Sequence, residues 1–144
     1  MPFAPIEELV PHRAPMLLLD RVTSHEGATV TCEVTVRDGA MFVEHGRVAS
    51  PVFIEYMAQA AAAHAGLTAT HGASRAGMLL GARELVLDVD EARVGEVLTV
   101  TATLDADDGV TALYLGEVRG EGGRRYAAAR FHVHRDAHTE GMQR

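Results

Sequence analysis

Apolar and polar positions alternate most cleanly over positions 29–37. Val30, Cys32, Val34 and Val36 fall on one face and Thr29, Thr31, Glu33 and Thr35 on the other, the period of two that marks a half-buried strand. Asp38-Gly39 closes this run with a turn pair. The pattern then changes. Ser50 and Pro51 suit the N-cap and first position of a helix, and the VFIEYMAQAAAAHAGL that follows is apolar nearly all round, as in a helix buried on every face. Gly66 and the small polar stretch 70–76 mark its expected end. Before these elements, the prolines at 5 and 11 confine 6–10 to one or two helical turns, and 16–22 (MLLLDRV) fits a short buried strand. After the helix, positions 78–89, 96–104, 111–118 and 124–133 are rich in Val, Leu, Thr and aromatics and read as strands. Hairpin turns fall at Asp108-Gly109 and at 120–123.

The order is thus short helix, two strands, one long apolar helix, four strands. A lone apolar helix and a long antiparallel sheet bury each other best if the sheet curls around the helix. The class is α+β, with one domain over 1–134 and a flexible polar tail over 135–144. Edge strands of such a sheet invite pairing with another chain.

Composition removes several functions. The net charge is −7 and the pI about 5.5, which disfavours nucleic acid and anionic membranes. All 13 basic residues are Arg, so Schiff-base and P-loop lysine chemistry are excluded. Cys32 is the only cysteine; its mid-strand place reads as a small buried hydrophobe rather than a nucleophile. The start has no signal-peptide pattern and no run is long enough to span a bilayer, so a cytoplasmic location is expected.

Two stretches carry a family resemblance. LVPHRAPMLLLDRV, from Leu9, is similar to the N-terminal "LPHR-x-P-x-LLVDRV" signature of 3-hydroxyacyl-[acyl-carrier-protein] dehydratases, and FIEYMAQAA, from Phe53, is similar to the start of their central helix. "IEYMAQ" and the later LLGARELVLDVDEARVG, from Leu79, resemble more closely the divergent predicted-dehydratase branch of aryl-polyene-type clusters. The resemblance implies the hotdog fold, in which a long antiparallel sheet wraps one central apolar helix. It also implies dehydration of acyl thioesters carried on acyl carrier protein or coenzyme A. No metal or redox cofactor is implied, and the active site would lie between the protomers of a homodimer or a hotdog heterodimer. The family's catalytic histidine stands in an "HFPG-x-P-x-x-PG" loop. Here that loop is the shorter FVEHGRVASP, from Phe42, with His45 as its sole histidine, ten positions before Glu55.

Dehydration needs a base for the C2 proton, an acid for the departing hydroxyl and donors for the enolate oxygen. Glu55 is the candidate carboxylate, since glutamate in an apolar helix is rarely buried without purpose. The resemblance assigns His45 as its histidine partner. Gln59, one turn on, is placed to orient Glu55, and the amides of Val52 and Phe53 suit an oxyanion. His64 is expected in the core or an interface, and His12 in a structural hydrogen bond beneath the first strand. His132, His134 and His138 read as surface residues. Arg83, Arg124 and Arg125 are candidate phosphate contacts. Two other readings stay open: a hotdog thioesterase, and a non-catalytic partner subunit, which the shortened loop favours.

Overall fold

The computed structural model describes residues 3–68 and 79–134; the tail expected over 135–144, the loop 70–76, Met78 and His138 lie outside the described residues. In chain order the elements are α1 (Ile6–Leu9), β1 (Arg21–Glu26), β2 (Thr29–Thr35), β3 (Val43–Glu44), β4 (Arg47–Ala49), a 3-10 turn (Ser50–Val52), α2 (Phe53–Thr68), β5 (Leu79–Leu87), β6 (Glu91–Arg93), β7 (Val97–Asp107), β8 (Thr111–Arg119), a second 3-10 turn (Glu121–Gly123) and β9 (Arg125–His134). Six strands form one antiparallel sheet in the order β1-β2-β7-β8-β9-β5, and β3-β4-β6 form a small second sheet.

The alternation of 29–37 becomes the sheet's inner face. Register places Val30 opposite Ala102, Cys32 opposite Val100 and Val34 opposite Leu98, and all six are buried. Cross-strand pairs of this kind are what fix register when one face is covered. That cover is α2, which packs on β2, β7, β8 and β9. Its alanines let the sheet approach closely, and Phe53, Met57 and Ala60 are fully buried. At Gly116 on β8 the approach is closest: a Cβ there would meet Met57 Sδ at 2.7 Å and the Phe131 ring at 2.9 Å. The fold is the α+β sheet-around-helix arrangement expected.

Three boundaries differ from the sequence reading. The run 16–22 becomes strand only from Arg21, because Leu18 N–H and Met16 C=O bond to a side chain of α2 instead of a strand. Helix α2 passes through Gly66 to Thr68. That glycine does not end the helix; it makes room for α1, since a Cβ there would collide with the Leu9 carbonyl. The small sheet went unforeseen, because strands of two or three residues are too short to display alternation.

Cys32 lies at 0% exposure with its thiol pushed up to about 12 by burial, the inert state expected of it. Among the described residues, no helix is long and apolar enough to cross a membrane.

Candidate active site

The two stretches that carry the family resemblance meet in space, and Gln59 joins them. Fully buried on α2, its Oε1 accepts from Leu18 N–H at 2.9 Å, and its Nε2 donates to Met16 C=O at 2.8 Å and to Glu55 Oε2 at 3.3 Å. One side-chain amide thus satisfies two backbone groups of the crossing segment and also touches the carboxylate one turn away. Asp20, at the end of this segment, accepts from Thr35 N–H at 2.7 Å and from Arg37 Nη1 at 2.8 Å. These bonds tie the segment to the end of β2.

Glu55 stands in the first turn of α2, and its side chain is 31% exposed. It is half-buried, accessible at one side. His12 lies beside it, with Nε2 3.8 Å from Glu55 Oε2. This corrects the sequence expectation of a structural bond beneath the first strand: the segment after His12 crosses α2 rather than entering the sheet at once. Arg13 holds the turn by donating to the carbonyls of Val10 at 2.9 Å and His12 at 2.7 Å. Burial lowers the His12 pKa below its ordinary 6.5, partly opposed by the Glu55 charge. Its Nδ1 is buried with no hydrogen-bond partner among the described residues.

His45 occupies a different place. With φ of 56° at His45 and 78° at Gly46, the pair forms the tip of the β3–β4 hairpin, where Glu44 faces Arg47; positive φ at both central residues is the hairpin-turn geometry. His45 lines an open groove of about 570 Å³ with Phe42, Glu44, Arg47, Asp90 and Glu91, and Glu55 is not part of it. Among the described residues, His45 and Glu55 thus do not line this groove together. At the head of α2 the Phe53 N–H is engaged with the carbonyls of Ser50 and Pro51, and Phe53 is fully buried, while Val52 is half-buried.

A smaller cavity of about 260 Å³ opens between the crossing segment and the end of β2, lined by Leu17, Leu18, Val34, Val36, Met41 and Tyr56 among others. Burial, and then the Asp20 charge, push the Tyr56 hydroxyl up to about 12. It stays protonated at neutral pH.

The remaining candidates fall away from this centre. His64 is a core residue, 3% exposed, with Nδ1 3.0 Å from the Tyr114 hydroxyl and its ring edge-on to His25 at 5.4 Å. Arg125 is taken up by Asp88 at 2.7 Å. Arg124 shares its groove with Asp88, Asp90, Glu91 and Glu96, which makes that groove a poor phosphate site. Arg83 lies on the exposed edge strand β5. Sequence reasoning missed His12 as a neighbour of Glu55. The two are 43 positions apart, and the only available signal was that both lie within the resembling motifs.

Comparison with known proteins shows the family and the fold. The family model of the ApeP dehydratases, described as ApeP-like, matches residues 4–143. Among solved structures, the dehydratase heterocomplex ApeI:P from Xenorhabdus doucetiae is similar at 31% identity and a TM-score of 0.86, over 98% of this chain and 97% of that one. The PaaI protein of E. coli is similar in fold at 19% identity and a TM-score of 0.60, covering 79% of this chain and 81% of that one. A hypothetical thioesterase from Streptococcus pneumoniae with coenzyme A is similar in fold at 12% identity and a TM-score of 0.62, covering 80% and 84%. No curated protein sequence matches. With the family model spanning nearly its whole length, the chain belongs to the ApeP-like dehydratase family.

Proposed function

We propose that this dehydratase removes water from 3-hydroxyacyl thioesters, carried on acyl carrier protein or coenzyme A, to give 2-enoyl thioesters in fatty-acid or polyene-type biosynthesis. The cytoplasm, where such carriers are loaded, is the location that goes with this reading. The observation that carries it is the half-buried Glu55, hydrogen-bonded by Gln59 and standing in the first turn of an otherwise apolar helix.

In this reading the imidazole of His45 takes the C2 proton. The electron pair of the broken C–H bond forms the C2=C3 double bond, the C3–O bond breaks, and Glu55 gives the departing hydroxyl the proton that makes it water. Proton transfer returns both groups to their starting states. The thioester oxygen, negative in transit, is met by the amide of Val52, since the Phe53 amide is engaged with the carbonyls of Ser50 and Pro51. The apolar cavity beside Tyr56 suits an acyl chain, since its lining is mainly aliphatic.

His45 and Glu55 do not line the same groove among the described residues, which supports a pair completed across two chains. Edge strand β5 supports that assembly: it is exposed along almost its whole length and presents Leu80, Leu85, Val86 and Leu87, an apolar edge suited to pairing with another hotdog chain. The similar solved structure is a heterocomplex, so a partner-subunit role is the second reading.

Glu55→Gln is expected to abolish enoyl formation from a 3-hydroxyacyl thioester, a loss of at least about a hundredfold, while the melting transition is kept. Release of free thiol by the unmutated protein would replace this reading with thioester hydrolysis. Activity appearing only when a second hotdog chain is added would establish the partner-subunit role.

A further inference from the structure

Glu55 has two carboxylate oxygens, and the structure treats them differently. Oε2 faces both Gln59 Nε2 at 3.3 Å and His12 Nε2 at 3.8 Å. Among the described residues Oε1 has no partner. From this asymmetry we propose that His12 is a positioning residue for the reacting carboxyl: with Gln59 it holds Oε2, so that the transferable proton resides on Oε1 and faces the substrate. The proposal rests on the reading of Glu55 as the acid of dehydration.

The tautomer follows from the surroundings of the ring. His12 Nδ1 is buried without a partner among the described residues. A buried N–H with no acceptor costs more than an unmet lone pair, because the orphaned donor loses its water outright. The proton of a neutral imidazole therefore belongs on Nε2, the nitrogen that faces Glu55. Burial keeps the ring neutral at neutral pH, so His12 contributes one N–H dipole and no full charge. A neutral donor orients the carboxyl without placing a charge beside it. At 3.8 Å the contact is longer than a hydrogen bond; catalytic contacts of this kind tighten in the substrate complex.

The chemistry is balanced by this arrangement. Oε2 accepts from Gln59 and faces the His12 N–H, so a protonated Glu55 carries its hydrogen on Oε1. On reaction the Oε1–H bond breaks, its proton joins the leaving hydroxyl, and the resulting anion is stabilised through Oε2 by the same two donors. Turnover should therefore depend on His12, and substrate affinity should not.

The test compares three variants in the assembly in which the unmutated protein is active. His12→Leu removes the donor, His12→Gln puts an amide N–H where Nε2 stands, and His12→Asn puts one only as far as Nδ1. His12→Leu and His12→Asn are expected to lower kcat for 3-hydroxyacyl thioester dehydration about tenfold or more with KM within about twofold, and His12→Gln to restore most of kcat. Equal losses in Gln and Asn would make His12 merely structural and overturn the proposal, as would an unchanged kcat in all three. If His12→Leu fails to melt cooperatively, the Gln and Asn pair still decides. Failure of the underlying reading looks different: Glu55→Gln would then remain active, whatever His12 does.

Discussion

His12 is the residue whose ionisation should show in the stability of the protein. Its pKa is lowered in the folded state by burial, against the opposing pull of Glu55. In the unfolded chain it titrates near 6.5. Between the folded value and 6.5 the unfolded chain binds the extra proton, so stability rises with pH there. The contribution is complete above about 6.5 and is lost as pH falls through that value toward the folded one. The side chain is 23% exposed, so the effect is modest. Melting temperatures measured at pH 7.5 and 5.5 should fall further for the unmutated protein than for His12→Gln, which has no group to protonate; equal falls would place the acid sensitivity elsewhere. Gln59 shows the same point in a neutral group. It was legible as a neighbour of Glu55 from i, i+4 spacing, but its bonds to Leu18 and Met16 were not, because no local rule relates positions 41 and 43 apart.

Among the elements, the junction of α1 and α2 makes the sharpest test. Gly66→Ala would ordinarily strengthen a helix interior by about 1 kcal/mol. Here the new methyl group meets the carbonyl of Leu9, and overpacking against backbone costs about 1–3 kcal/mol. The clash should win, giving a net loss of stability in urea titration. Because α1 leads directly into the turn that carries His12, kcat should fall as well. A more stable Gly66→Ala protein would mean that α1 moves freely, and that His12 is not held as described. Helix α2 itself was evident from its continuous apolar run, but Ser50-Pro51 form a 3-10 turn ahead of its start at Phe53, and its true end at Thr68 was hidden. A glycine reads as a terminator in sequence, and only the neighbouring carbonyl explains why a glycine is needed inside the helix.

For the whole molecule, the exposed edge of the six-stranded sheet is the surface proposed for assembly. Strand β5 is covered by little within one chain, and Val86 and Leu87 are 42% and 38% exposed. Val86→Arg should leave the melting transition of the subunit near its normal place, shift sedimentation toward the single chain and reduce dehydration, as the proposed completion of the site across chains requires. An unchanged sedimentation coefficient would remove β5 from the interface.

Sequence by itself determined the element types, the buried helix and the sheet face. These follow from periodicities of 2 and 3.6 that each element must obey to bury one side, and they point without further help to a sheet wrapped on α2. It also singled out Glu55, whose carboxylate stands out in an apolar run. Tertiary structure decided what stands next to Glu55. Contacts between distant positions depend on how the segment from His12 to Asp20 crosses the helix, and that path is set by Gln59, Asp20 and the space left by Gly66. Hence His12 lies beside the carboxylate, while His45, nearer in sequence, lines a groove of its own.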